Sequence, residues 1–130
     1  MKTIGIIGSR RRNSIRDMLA VSAKFKEIYN EGDRIVSGGC KLGGDRFAER
    51  IAKAMKVSIK IHYPDKSKLD PILMKKNPRA AYAKINYARN TLIAKDADIL
   101  IACVAEDRKG GTEDTIEKFR KMGKDKVYLV

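Results

Sequence analysis

Ser37-Gly38-Gly39-Cys40-Lys41-Leu42-Gly43-Gly44-Asp45 decides how this chain is read. The apolar run Arg34-Ile35-Val36 precedes it, and a helical pattern begins near Asp45. Four of the seven residues from Gly38 to Gly44 are glycine, so the backbone there can approach another group closely. The first N–H groups of a helix lack internal partners, and its dipole adds partial positive charge. A strand, a glycine loop and a helix start in that order therefore make a phosphate-type site. Two other junctions share the pattern, Ile7-Gly8-Ser9-Arg10 and Lys109-Gly110-Gly111-Thr112. Each follows an apolar run and precedes a helical one, and the three loops are expected to converge.

Working outward, Thr3–Gly8 is a nearly continuous apolar run and reads as a strand buried on both faces. Ser14 or Asn13 can cap a helix running from Ile15 to about Tyr29, which Glu31-Gly32-Asp33 stops, with glycine at its C-terminal end. Arg34–Ser37 is a second strand. Asp45 is expected to cap the next helix, whose face carries Phe47, Ala48, Ile51, Ala52 and Met55. Val57–His62 alternates as a third strand. Lys66 to Arg79 reads as a long loop with a turn of helix. Ala80–Ala94 is helix-compatible, Ala97–Val104 is the strongest strand signal, Gly110-Gly111-Thr112 opens a helix through Met122, and Lys126–Val130 is a final strand. This alternation predicts an α/β fold with a mostly parallel five-stranded sheet between two helical layers, in one domain spanning residues 1–130. Ligands bind such sheets at the carboxyl ends of the strands, where all three glycine loops lie.

At 130 residues the chain can bury a core without disulfides. Lys and Arg outnumber Asp and Glu by 29 to 16, giving a formal charge of +13. That surplus suits nucleotides, nucleic acid or an acidic partner equally. Cys40 and Cys103 have no metal-ligand spacing, which favours reduced thiols in a cytoplasmic protein. No apolar run approaches the ~20 residues of a membrane helix, and no leader is expected before the first strand. No pattern calls for a metal or a bound cofactor. His62 is the single histidine, and no nucleophile–His–carboxylate set can be built around it.

Together these tags resemble the SLOG superfamily, which includes the LOG-type phosphoribohydrolases, the Smf/DprA-type single-strand DNA-binding proteins and small YspA-like nucleotide-binding domains. The likeness is best to the YspA-like members. It rests on Gly8, Ser9 and Arg10; on Ser37, Gly38, Gly39, Gly44 and Asp45; on Pro64; on Arg89 and Asn90; on Ala97 and Asp98; and on Gly111 with Thr112. The resemblance implies a Rossmann-like three-layer sandwich, a nucleotide or nucleotide-derived ligand, and self-association, with a homodimer as the expected form. The ligand-binding set so implied is Gly8, Ser9, Arg10, Ser37, Gly38, Gly39, Gly43, Gly44, Asp45, Arg89, Asn90, Gly110, Gly111 and Thr112.

The phosphoribohydrolases carry a Glu three residues after the motif threonine, and this chain has Thr115 there. If the chain hydrolyses the N-glycosidic bond of a nucleoside monophosphate, Glu113, Asp114 or Glu117 must supply the carboxylate and Arg89 must steady the phosphate. Glu113 and Asp114 are also favourable beside a helix N-terminus for dipole reasons alone, and Thr112 is a common N-cap. A third reading is a nucleic-acid-binding module, from the +13 charge and the run Arg10-Arg11-Arg12; the aromatic content of 6% gives it little stacking surface.

Overall fold

Alternation inside the apolar runs sets the two faces of the sheet. Ile4 and Ile6 of the first strand pack on one side and Ile7 on the other; Ile35 and Val36 divide likewise, as do Ile101 and Cys103 against Leu100 and Ala102. The computed structural model describes all 130 residues, Met1–Val130. The elements run β1 (Thr3–Gly8), α1 (Ile15–Ile28), β2 (Arg34–Ser37), α2 (Gly44–Met55) and β3 (Ile59–Ile61). After a 3-10 turn at Lys66–Lys68 come α3 (Pro71–Lys76), α4 (Pro78–Asp96), β4 (Ile99–Cys103), α5 (Gly111–Lys121) and β5 (Val127–Leu129). The sheet order is β3-β2-β1-β4-β5, and every pair is parallel. It is the Rossmann-like α/β architecture expected from the alternation, with no antiparallel strand.

Val21 and Phe25 of α1, with Phe47, Ala48 and Ile51 of α2, cover one face. Ile93 and Ala94 of α4, with Ile116 and Phe119 of α5, cover the other. Phe25, Phe47 and Phe119 are fully buried, and each such side chain contributes roughly 2–3 kcal/mol of transfer free energy. No helix is long and apolar enough to cross a membrane.

Several local expectations change. Ser14 caps α1 with a reciprocal bond from Asp17, while Asn13 instead accepts from Gly43 N and Arg46. Helix α1 ends at Tyr29, before Gly32, which serves the following turn in a left-handed conformation. The stretch read as a long loop holds α3 and the start of α4. Asp70 and Asn77 cap these helices, and Pro71 and Pro78 occupy their first positions, where a missing N–H costs nothing. Lys124 closes the far end of α4 by donating from Nζ to the carbonyls of Ala94, Lys95 and Ala97.

The start of β1 is tied to the turn before β2 through Asp33. Burial opposes ionisation of its carboxyl, but hydrogen bonds from Lys2 Nζ (2.5 Å), Lys2 N and Asn30 N outweigh it and hold the pKa at about 2. A carboxyl depressed on folding stabilises fully above its unfolded pKa, and the stabilisation is lost as pH falls towards the folded value. Lys2 is partly exposed, so screening leaves about 1 kcal/mol. Asp33→Asn is therefore expected to lower Tm at pH 7 by about 3–5 °C, and the gap to the parent should close as pH drops from 4 towards 2. A gap that persists at pH 2 would disprove the ionic origin.

Candidate functional site

A cavity of about 440 Å³ opens outside the carboxyl ends of β1 and β4. These two strands are neighbours at the point where the strand order reverses, which is where open parallel sheets leave a crevice. The volume lies within the ~300–1,000 Å³ usual for small-molecule sites. All three glycine junctions reach it. Gly8, Ser9 and Arg10 come from the first; Cys40 and Asp45 from the second; Lys109, Gly110, Gly111 and Thr112 from the third. Helix α4 supplies the remaining wall with Asn86, Tyr87, Arg89, Asn90 and Ile93.

The nine-residue loop that opened the argument takes a different part from the one expected. Only Cys40 and Asp45 of it line the cavity; Ser37, Gly38, Gly39, Gly43 and Gly44 do not. Ser37 is fully buried. Its hydroxyl donates to Ile6 O at 2.6 Å and lies 3.0 Å from Asp45 Oδ1, so it is not free for a ligand. Asp45 does not cap α2. The helix begins one residue earlier, after Gly43, and the buried Asp45 carboxylate turns back to accept from Cys40 N at 3.1 Å. Gly44 is needed because α2 starts against β1: a Cβ there would sit 2.2 Å from the Ile7 carbonyl carbon. The start of α2 is thus spent on packing. The helix start that faces the cavity is that of α5, at Gly111 and Thr112. Gly110 is its N-cap and no side chain caps it, so Thr112 is not the cap.

Arg89 crosses from α4 to the loop after β2. It donates from Nη1 to the carbonyls of Gly38 and His62, and from Nε to Asn90 Oδ1 at 3.1 Å. Burial pulls the guanidinium below its usual pKa, against the pull of Asp45. A Cβ on residue 38 would lie 2.6 Å from Arg89 Nη1 and 2.8 Å from Asp45 Oδ2, so Gly38 is what lets the two groups flank one backbone position. Asn90, itself buried, donates to Gly111 O and Asp114 Oδ2, both at 3.2 Å, and so links α4 to the start of α5.

The carboxylates expected to serve catalysis are held elsewhere. Glu113 forms a two-pronged pair with Arg108, Asp114 pairs with Lys118 and Asn90, and Glu117 pairs with Lys121. None of the three lines the cavity. Thr115 does line it, and its hydroxyl donates to Gly111 O at 3.2 Å. The arginine run divides too. Arg11 forks onto Asp107, and Arg12 binds Asp17 and the carbonyls of Val104 and Val130. Arg10 has no partner within the chain and is exposed at the cavity. Asn86, Tyr87 and Ile93 were not expected as lining residues. Their spacing from Arg89 and Asn90 puts them on the same face of α4, a signal readable once Arg89 was singled out.

Two solved structures share this fold. One, the molybdenum cofactor binding protein from the phototrophic bacterium Rippkaea orientalis, is 22% identical with a TM-score of 0.70, over 98% of this chain and 75% of that one. The other, the structural-genomics target TM1055, is 16% identical with a TM-score of 0.63, over 95% of this chain and 71% of that one. At these identities the likeness establishes the fold. No protein-family model matches the chain, and no curated protein sequence matches it significantly.

Asp45 presents a proton question that can be tested. Ser37 has one hydroxyl proton and two acceptors within reach, Ile6 O and Asp45 Oδ1. A proton on Asp45 would satisfy both, and burial pushes its carboxyl pKa up, against the bond from Cys40 N and the charge of Arg89. An amide can donate to Ser37 and accept from Cys40 in the same geometry. Asp45→Asn is therefore expected to cost less than about 1 kcal/mol, and Asp45→Ala about 2–4 kcal/mol, because it orphans the Cys40 amide and opens a void. Equal losses in denaturant unfolding would refute this account.

Proposed function

We propose that the cavity binds a nucleotide or a nucleotide-derived ligand, with its phosphate at the start of α5 beside Arg10. The observation that carries the reading is Arg10, a guanidinium with no partner in the chain, facing a cavity that the start of α5 also faces. A helix N-terminus and a planar guanidinium both favour a phosphate dianion. Thr112 and the amides of Gly111 and Thr112 would complete the phosphate contacts, with Ser9 and Gly8 as the opposite wall. Asn86 is the side-chain amide of α4 available to a ribose or base, while Asn90, already bonded to Arg89, Gly111 and Asp114, holds the walls together. Ser37, Gly38, Gly39, Gly43, Gly44, Asp45 and Arg89 would act by holding the loops in place.

The SLOG resemblance, in its YspA-like form, points to the same ligand class. The Rippkaea protein of the same fold is described as binding a cofactor, which agrees with a small-molecule site in this architecture. The pairing of Glu113 with Arg108 and of Asp114 with Lys118 supports binding over N-glycosidic hydrolysis, as does a threonine at position 115. An oxocarbenium-like ribose would find no free carboxylate from α5 beside it.

A thermal-shift screen of mono-, di- and triphosphate nucleotides, cyclic nucleotides and ADP-ribose tests this. A ligand at 100 times its Kd adds ~2.7 kcal/mol, a rise of several degrees at this size. Arg10→Ala should weaken the selected nucleotide about tenfold, the loss of one charge-assisted contact, and leave the melting temperature of the free protein unchanged. No response to any nucleotide, or parental affinity in Arg10→Ala, would remove the proposal.

A further inference from the structure

Residues 51–94 carry ten of the 29 Lys and Arg residues and two of the 16 acidic ones, so +8 of the formal +13 falls in this stretch. Between Arg50 and Lys95 the only acidic residues are Asp65 and Asp70. Both are occupied by local hydrogen bonds: Asp65 accepts from Ser67 N and Oγ, and Asp70 from the amides of Ile72 and Leu73. None of the ion pairs in the molecule engages a lysine or arginine of this stretch. Apart from Arg89, which is turned inward, these cations face solvent unneutralised. Lys66, Lys68, Lys75, Lys76, Arg79 and Lys84 are exposed along the excursion from β3 to α4 and on the first half of α4. Ile59 packs on the α1–α2 side of the sheet, so strand alternation turns Lys60 to the α4 side with them. Strand β3 is an edge strand, so no further strand covers this flank.

Two aromatic rings stand among these cations. Tyr63 is 64% exposed and Tyr82 42%. Neither ring stacks on another or receives a cation within the chain. Tyr63 is held against the glycine loop, where a Cβ on residue 39 would come 2.5 Å from its ring. It therefore stands at the boundary between the loop after β2 and the lysine-bearing excursion.

We infer that this edge is a docking surface for single-stranded nucleic acid, with phosphates on the excursion lysines and bases stacked on Tyr63 and Tyr82. Unpaired lysines act as point charges that follow a phosphodiester chain without demanding a fixed geometry. Exposed flat rings suit unstacked bases, which a duplex does not offer. The Arg10-Arg11-Arg12 run contributes little to this surface, because Arg11 and Arg12 are neutralised within the chain. The inference is independent of the cavity reading, because none of these lysines and neither tyrosine lines the cavity.

Fluorescence anisotropy tests it, using a labelled oligothymidylate of about twenty nucleotides, longer than the ~4–16 of typical single-strand sites. The parent should bind the strand more tightly than a duplex of equal length, with affinity falling steeply in salt. Replacing Lys66, Lys68, Lys75 and Lys76 together by alanine should weaken binding at least tenfold at low salt. It should also make the log–log salt slope shallower by about 2–3, at ~0.7 per phosphate contact on a single strand. The pair Tyr63→Ala and Tyr82→Ala should weaken binding at least about fivefold with the slope unchanged. Both sets of variants should keep parental melting temperatures, and Arg10→Ala should bind the strand as the parent does. Four results would each overturn the inference: parental binding by the lysine variant, preference for the duplex, tighter binding to phosphatidylserine vesicles than to the strand, or full displacement of the strand by a mononucleotide.

Discussion

The Asp45 carboxyl is buried at the carboxyl end of a parallel sheet, and the loop that carries it is arranged around keeping it there. Burying such a group is costly unless its oxygens are bonded. Ser37 of β2, the amide of Cys40 and the nearby charge of Arg89 meet that requirement from three directions. Each of those partners is itself anchored: Ser37 on Ile6 of β1, Arg89 on the carbonyls of Gly38 and His62. The result couples β1, β2, the end of β3 and α4 through one small polar cluster. The glycines of the loop follow from it. Gly38 must lack a side chain because Asp45 and Arg89 close on it from both sides, and Gly44 because α2 begins against the backbone of β1.

That cluster determines what the crevice can offer. With α2 butted against β1, its helix start is closed to ligands, and the start of α5 becomes the free one. Asn90 then helps fix α5 relative to α4 by bonding the Gly111 carbonyl, beside the bond from Lys118 Nζ to Tyr87 O and the packing of Ile93 and Ala94 against Ile116 and Phe119. Charges close to the opening are sorted by the same economy of pairing. Arg11, Arg12, Arg108 and Lys118 each find a carboxylate within the chain, and Arg10 does not. An unpaired guanidinium at a concave, helix-lined opening has its strongest available interaction with an anion from solution.

The same sorting separates two kinds of positive charge that composition adds together. In the first and last thirds of the chain most acidic residues are spent on ion pairs or caps beside basic ones. Between residues 51 and 94 only Asp65 and Asp70 are present, and both are held by local hydrogen bonds. The +13 surplus is therefore an asymmetric field rather than a uniform coat. An asymmetric field steers and orients a polyanion, which a uniform one does not.

The sequence by itself determined the α/β alternation, the strands buried on both faces and the three loops that meet at one sheet edge. Those depend on periodicity and on glycine between a strand and a helix, which are local properties. The capped prolines at Asp70-Pro71 and Asn77-Pro78 were equally local signals, and reading them would have revealed α3 and the true start of α4. What only the tertiary structure decided was which helix start faces the cavity, which arginine of a run of three stays free, and that Ser37 points into the core instead of out to a ligand. Each of those depends on partners far away in the chain: Ile6 for Ser37, Asp107 for Arg11, Val104 and Val130 for Arg12, Ile7 for Gly44. A side chain's chemistry can be read from its identity, but whether that chemistry is already satisfied is settled only when distant segments are packed against it.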